Sequence, residues 1–339
     1  MKTTDVRNEE LSEPETATHQ SLDTFKSLIH KIFTRVRANG SSLSESENEA
    51  IHSTITELLY HFEEAVRDEQ TTSESKDRLI EYVQREFFPY LMMSENARRW
   101  YEKPEGYPGD YVTMRRLYER EIGGIGMIGT AMDRTFLDIP PAVAVRNRRQ
   151  FLSDQLAGTV EEEEGQTNVL SLACGPAVEV FDVLGGTEDE SVSFNLLDMD
   201  PGAIQYVEKE TRQNGEWDRI ETFRRNLIFI VKGRHTLPID SQNLIYSAGL
   251  IDYFEKDFVV ELLDWGYEKL APGGRMILGN FHPDNTNRAF MDHILRWELN
   301  HRRKQDMHEL GRTSRFDRNC SNLWVEENGI NLFAEYEKH

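Results

Sequence analysis

The chain has 339 residues, and its 39 Lys+Arg against 60 Asp+Glu give a formal charge of −21 at pH 7, a length that suits two domains of roughly 150 residues each. That charge repels phosphate backbones and anionic headgroups at long range, which argues against nucleic acid and membrane surfaces as partners. Only Cys174 and Cys320 are available, so a disulfide framework and a cysteine-based zinc ribbon are excluded. The sequence shows no apolar run of ~18 residues and no signal core, so it predicts a cytoplasmic protein without stable membrane insertion and without a metal site.

Residues 1–20 carry acids and hydroxyls without apolar periodicity, which predicts a disordered acidic tail. Leu22, Phe25, Leu28, Ile29, Ile32, Phe33 and Val36 then fall at helical spacing, and Asn39-Gly40 ends the pattern. A second helix follows the capping box Ser44-x-x-Glu47, with Ile51, Ile55, Leu58, Leu59, Phe62 and Val66 on one stripe. A third, near 73–93, carries Leu79, Ile80, Val83, Phe87 and Phe88 until Pro89 disturbs it. Residues 21–150 therefore read as a helical cap or substrate domain. Within it, 101–111 is dense in aromatics, Gly and Pro and reads as a specific loop. The acidic run Glu161–Glu164 reads as a solvated seam. From about 151, apolar runs at 169–174, 192–198, 243–248 and 275–281 alternate with helical segments, the pattern of a parallel sheet with crossover helices. Asn319–Glu326 and Ile330–Glu337 flank Asn328-Gly329, a strong hairpin signal.

Two glycine-rich segments compete for a nucleotide role. Gly124-Ile-Gly126-Met-Ile-Gly129 matches G-x-G-x-x-G, but the charged segment before it, Met114–Glu121, cannot be the buried strand that the motif's mechanism requires. It reads as a close-packed connection. The second has the right context: the strand Val169–Ala173, the turn Cys174-Gly175-Pro176 and then a helix. Twenty-three residues after Gly175, another strand ends in Asp198. An acid there can accept both ribose hydroxyls of a nucleoside. Asp200, just before Pro201, reads as the cap of the next helix.

Leu172-Ala-Cys-Gly-Pro-Ala177, Leu197-Asp-Met-Asp-Pro201, Arg225-Asn-Leu227, Ile245–Tyr253 and Leu270-Ala-Pro-Gly-Gly274 resemble, in order, the motifs of class I S-adenosylmethionine-dependent methyltransferases. The resemblance implies a Rossmann-like α/β fold over 151–339, with a seven-stranded, mostly parallel sheet closed by a C-terminal antiparallel hairpin. It implies S-adenosyl-L-methionine as cofactor, held by Ala173, Cys174, Gly175 and Pro176, by Asp198 and Met199, by Asn226 and Leu227 at the adenine, and by Ser247, Ala248 and Gly249 facing the methyl donor. Ser171 and Ala177 stand where the usual first motif has an acid and a second glycine. Glu179 is left with two roles, binding the cofactor's ammonium or capping the turn amides.

Tyr107-Pro-Gly-Asp110-Tyr111-x-x-Met114, Ala144-Val-Arg146-Asn147-Arg148-Arg149, Ala173–Pro176 and Tyr246–Gly249 resemble more narrowly a bacterial family of 3-hydroxypalmitic acid methyl ester biosynthesis. That likeness implies carboxyl O-methylation of a hydroxy fatty acid or a similar small acid. Free carboxyl groups titrate near ~4, so such an acceptor needs no general base, whereas a phenol, an amine or a carbon acid does. The candidate catalytic groups are His282, Tyr107, Tyr111 and Tyr253, with Arg146 or Arg148 to pair a carboxylate of acceptor or cofactor. N-, phenolic O- or C-methylation and a non-catalytic cofactor-binding scaffold are the alternatives, and a homodimer is compatible with either. Met114, Met127, Met132 and Phe136 read as core before acyl-chain surface.

Overall fold

The first helix starts earlier than apolar periodicity predicts. In the computed structural model, which describes residues 11–40, 42–162, 165–186 and 191–339, α1 (Glu13–Asn39) opens on a capping box: Ser12 Oγ accepts the Glu15 N–H, and Glu15 Oε2 accepts the Ser12 N–H at 2.7 Å. Pro14 lies in the first turn, where its missing N–H costs nothing. Residues 13–20 are thus helix and not tail. The buried residues of that turn are polar, Glu15 and Thr18, so no hydrophobic stripe announces them. The rest of the expected tail, 1–10, lies outside the described residues, as do Glu163 and Glu164 of the acidic run.

The chain forms two units. The helical unit takes the chain up to Pro104 together with Ile122–Ile139 and Thr286–Glu298. Besides α1 it contains α2 (Glu45–Arg67), capped by the expected Ser44/Glu47 box, α3 (Ser73–Leu91), which continues through Pro89, and α4 (Glu95–Glu102). The sheet unit takes Glu105–Glu121, Pro140–Asn285 and Leu299–His339. It therefore owns α5 (Tyr111–Tyr118), while α6 (Gly126–Leu137) returns to the helical unit. No boundary falls at 150, because α7 (Pro140–Glu162) runs unbroken through that position.

The decoy glycine motif is a packed turn of the helical unit. Asp133 is fully buried and accepts N–H groups from Gly123 at 2.7 Å and Asn96 at 3.1 Å, and the Ser94 hydroxyl. A Cβ on Gly129 would fall inside the Met93 carbonyl, and one on Gly124 would fall inside the Gly129 backbone. Met132 and Phe136 are core, with Phe136 stacked on Phe290 at 5.5 Å. Phe290 belongs to a short π-helical turn, Phe290–Ile294, pinned by its neighbours in the same unit: Glu63 accepts the Ala289 N–H at 2.6 Å, and Gln84 donates to the His293 carbonyl.

The sheet unit has seven strands, β1 (Thr167–Leu172), β2 (Val192–Asp198), β3 (Ile220–Arg224), β4 (Gln242–Ala248), β5 (Leu270–Phe281), β6 (Asn322–Val325) and β7 (Asn331–Glu337), in the order β3-β2-β1-β4-β5-β7-β6. The first five are parallel, and β7 pairs antiparallel with β5 and with β6. This is the expected class I fold. Side chains alternate across the sheet: Leu170 and Leu172 enter one apolar layer with Met307, Leu310 and Tyr336, and Val169 enters the other with Leu152, Leu156 and Val180. The crossover helices are α8 (Val178–Leu184), α9 (Pro201–Asn214), α10 (Leu227–Val231) and α11 (Lys256–Lys269), and α12 (Lys304–Thr313) precedes the hairpin. Glu326 closes that hairpin by accepting the N–H groups of Asn328 at 2.8 Å and Ile330 at 2.7 Å. Among the described residues no helix is long and apolar enough to cross a membrane.

Gly129→Ala is expected to destabilise the chain by about 1–3 kcal/mol through overpacking against Met93, seen as a lower urea midpoint at unchanged slope. An unchanged midpoint would mean that the loop is slack.

Candidate functional site

In a sheet ordered β3-β2-β1-β4, the chain runs one way from β1 to β3 and the other way from β1 to β4, so the crevice beside the carboxyl end of β1 is where such folds bind ligands. The turn leaving β1 is strained. Ala173, Gly175 and Ala177 all adopt left-handed backbone, at φ 53°, 54° and 49°, and for alanine that costs roughly 1–2 kcal/mol. The turn is held against β2 by hydrogen bonds from Cys174 N–H to the Leu197 carbonyl at 3.0 Å and from Gly175 N–H to Asp198 Oδ2 at 2.9 Å. Asp198 Oδ1 accepts the Asp200 N–H at 2.9 Å, and Asp200 caps α9 through the Gly202 N–H at 2.7 Å. Burial pushes the Asp198 carboxyl pKa up, opposed by these N–H groups.

Beneath the turn, Glu179 is buried in the first turn of α8, and its Oε1 accepts the Tyr246 hydroxyl at 2.8 Å. Burial raises the pKa of both side chains. Cys174 is buried too and its thiol is pushed far up, so it is no nucleophile. Ser247 spends its hydroxyl on the Leu172 carbonyl at 2.7 Å, so its side chain fastens β4 to β1 and does not face a ligand. Gly249, with φ 79°, ends β4 where a Cβ would lie 2.7 Å from Arg148 Nη1.

Arg148 is the buried cation of this site, 7% exposed. Its Nε donates to Tyr118 Oη at 3.3 Å and its Nη2 contacts Met114 Sδ at 2.8 Å, both on α5, and among the described residues it forms no ion pair. Burial opposes its charge, but the Tyr118 hydroxyl and the Asp252 carboxylate together hold its pKa above the ordinary arginine value. Asp252 is 1% exposed: Oδ1 accepts the Phe281 N–H at 2.7 Å, and Oδ2 has no hydrogen-bond partner. Burial lifts its pKa to about 6 against the Phe281 N–H, Arg148 and Arg302. Arg302 gives its guanidinium to the carbonyls of Ile251 and Phe254 and to Asn280 Oδ1 at 2.6–2.8 Å.

The other predicted residues divide. Tyr107 Oη donates to Asp200 Oδ2 at 3.1 Å, and burial together with Asp198 and Asp200 drives its pKa up, so it holds its proton at neutral pH. Tyr111 lies on Gly202, and Tyr253 Oη donates to the Pro108 carbonyl at 3.1 Å. Met199 is exposed next to Asp198. Asn226 caps α10 through the Ile228 N–H, while the Leu227 side chain enters the core and Ile228 and Phe229 are the exposed apolar groups. His282, past β5, accepts the Asp284 N–H at Nδ1 within its own turn. Arg146 lies in a groove between α7 and α8 with Asp182, Val183 and Gly186, apart from Arg148 and Gly249. Two residues apart on a helix, Arg146 and Arg148 differ by about 200°, so only one can face the crevice. Tyr118, which sequence reasoning did not single out, shapes the surroundings of Arg148 together with Met114, and Tyr246 does the same for Glu179.

Asp252 keeps its proton to about pH 6 in the folded chain and to about pH 4 when unfolded. Its contribution to stability is therefore complete below about pH 4 and is lost as pH rises through 6, a change of up to about 3 kcal/mol. Asp252→Asn is expected to gain on the parent between pH 4 and pH 7 in urea titrations; parallel curves would show that Asp252 titrates normally.

Comparisons with known proteins agree with this architecture. A solved structure described as a possible exported protein from Bordetella parapertussis aligns with a TM-score of 0.56 at 17% identity, covering 88% of this chain and 99% of that one. Magnesium protoporphyrin IX methyltransferase (ChlM) from Synechocystis PCC 6803 with bound SAH aligns at 0.48 with 10% identity, over 77% and 99% of the two chains. The S-adenosylmethionine-dependent methyltransferase SibL aligns at 0.45 with 16% identity, over 97% and 99%. No curated protein sequence matches. A family model described as "Putative methyltransferase" matches residues 106–333, about two thirds of the chain, and the chain belongs to that methyltransferase family.

Proposed function

We propose that this chain is an S-adenosyl-L-methionine-dependent methyltransferase of small molecules, working in the cytoplasm, and that its acceptor is a small organic acid methylated on its carboxylate. A hydroxy fatty acid is the sharpest form of that acceptor. The observation that carries the acid is the Arg148 guanidinium, buried at the carboxyl end of β4 without an ion-pair partner among the described residues. A bound carboxylate in fork geometry would give that guanidinium the close ionic partner it lacks. Arg302 adds a second buried guanidinium, and the two share one nearby carboxyl, Asp252, itself biased toward its neutral form.

The residues fit the cofactor. Asp198 would accept from the ribose hydroxyls, Met199, Asn226 and the apolar start of α10 would line the adenine, and the strained Ala173–Ala177 turn would let the backbone approach. Glu179 lies beneath that turn to face an ammonium, and the two free, buried cysteines suit a reducing compartment. When bound, S-adenosyl-L-methionine supplies a methyl group on a sulfonium. An acid acceptor is ionised already, so the chain's task is to bind and orient it, with Arg148 setting the carboxylate in line. Tyr107 and Cys174, both held in their protonated forms, have no base role in this reading. A protic acceptor is the second reading, favoured by the unpartnered Oδ2 of Asp252, which has the position and basicity to take a proton.

Labelled methyl transfer to a metabolite extract decides between them. The acid reading expects a base-labile methyl product, and a base-stable one rejects it in favour of the second. Asp198→Ala is expected to weaken S-adenosylhomocysteine binding at least ~10-fold, the scale of a lost charged hydrogen bond. Unchanged affinity in calorimetry would remove Asp198 from the nucleoside site. Arg148→Leu is expected to raise KM for the acceptor by a similar factor while leaving S-adenosylhomocysteine affinity in place; loss of that affinity instead would assign Arg148 to the cofactor's carboxylate.

A further inference from the structure

β1 lies between β2 and β4 in the sheet, so a segment fastened to the carboxyl ends of both neighbours passes over the turn that follows β1. Residues 105–111 are fastened in this way. On the β2 side, Tyr107 Oη donates to Asp200 Oδ2 at 3.1 Å. The Tyr111 ring lies so close to Gly202 that a Cβ there would fall 2.7 Å from Cε1. On the β4 side, Tyr253 Oη donates to the Pro108 carbonyl at 3.1 Å. Asp110 fixes the downstream end by capping α5, with Oδ1 accepting the N–H groups of Val112 and Thr113 at 3.0 and 3.1 Å.

The β2 fastening also reaches the glycine turn through bonds already described. Tyr107 holds Asp200, the Asp200 N–H holds Asp198 Oδ1, and Asp198 Oδ2 holds the Gly175 N–H. We infer that Tyr107 and Tyr253 are positioning residues that lay 105–111 as a strap across the Ala173–Ala177 turn, so that the nucleoside end of the cofactor is held beneath the strap and leaves when the strap lifts. The inference rests on the cofactor reading above. It gives the two tyrosines a role through main-chain placement: neither transfers a proton, and each trades a hydroxyl bond for closure.

The test compares Tyr107→Phe and Tyr253→Phe with Tyr336→Phe, which deletes a buried hydroxyl bond of the same kind, to the Met307 carbonyl at 2.8 Å, away from the strap. Release of S-adenosylhomocysteine is followed by displacement in stopped flow, and amide exchange of peptides spanning 107–111 and 173–177 is followed in the ligand-free chain. Each strap variant is expected to release the ligand roughly five-fold faster, the scale of one hydrogen bond, and to exchange faster in both peptides, with Tyr336→Phe changing neither. Unchanged release and exchange in the strap variants, or equal acceleration in Tyr336→Phe, overturns the strap. Faster exchange in a parent chain that binds no S-adenosylhomocysteine keeps the crossing and overturns the cofactor reading instead.

Discussion

The carboxylate of Asp198 accepts one N–H from the turn after β1 and one from the turn after β2, and the crevice depends on that double attachment. It works with the Cys174 N–H bond to the Leu197 carbonyl to compensate the left-handed backbone of Ala173 and Ala177, where alanine has no intrinsic reason to sit. Strain of this kind persists only where the surroundings over-determine it. Here they do so through main-chain donors, which leave the second lone pairs of both Asp198 oxygens able to accept from a ligand. The same group therefore shapes the turn and offers its acceptors, which explains why an acid is needed at the end of β2.

Charge works on two scales in this molecule. The formal charge of −21 sets a long-range field that discourages polyanions. That field is screened within about 8–10 Å at physiological salt. Inside the sheet unit the buried guanidiniums of Arg148 and Arg302 set a local field beside Glu179 and Asp252, whose pKa values burial raises. An anion of a few atoms experiences the second field, and a polymer experiences the first. Net charge thus bears on partner class and the local residues bear on the acceptor.

The fold was legible wherever local chemistry and tertiary structure agree. The Ser44/Glu47 box, the strand Val169–Leu172 with its tight turn, Asp198 and the Asn328-Gly329 hairpin each rest on short-range physics that survives in the folded chain. The decoy Gly124–Gly129 was legible for the same reason, since its context lacked a strand. α1 begins at Glu13 on the box Ser12-x-x-Glu15, a local signal of the same kind as Ser44/Glu47 that apolar periodicity does not report. Other illegible features depend on distant partners. Periodicity could not separate Arg146 from Arg148, because both lie in one basic run and only the packing of α5 on α7 decides which is buried. Leu227 and Ile228 divide likewise. The face each presents is set by the core beneath α10.

The altered first motif follows the same logic. Ser171 stands where the usual first motif has an acid, and the nearby carboxyl is Glu179, in the first turn of α8, which accepts the Tyr246 hydroxyl. The change of address has an electrostatic consequence. Glu179 is buried and its pKa rises, so in the ligand-free chain its charge is costly. Tyr246 supplies one donor, and a neutral hydroxyl recovers only part of that cost. A cation brought against Glu179 would recover the remainder and favour its ionised form. Binding and ionisation are then coupled at this position, which makes a buried acid more discriminating than an exposed one: it rewards a positive group over a neutral group of the same shape.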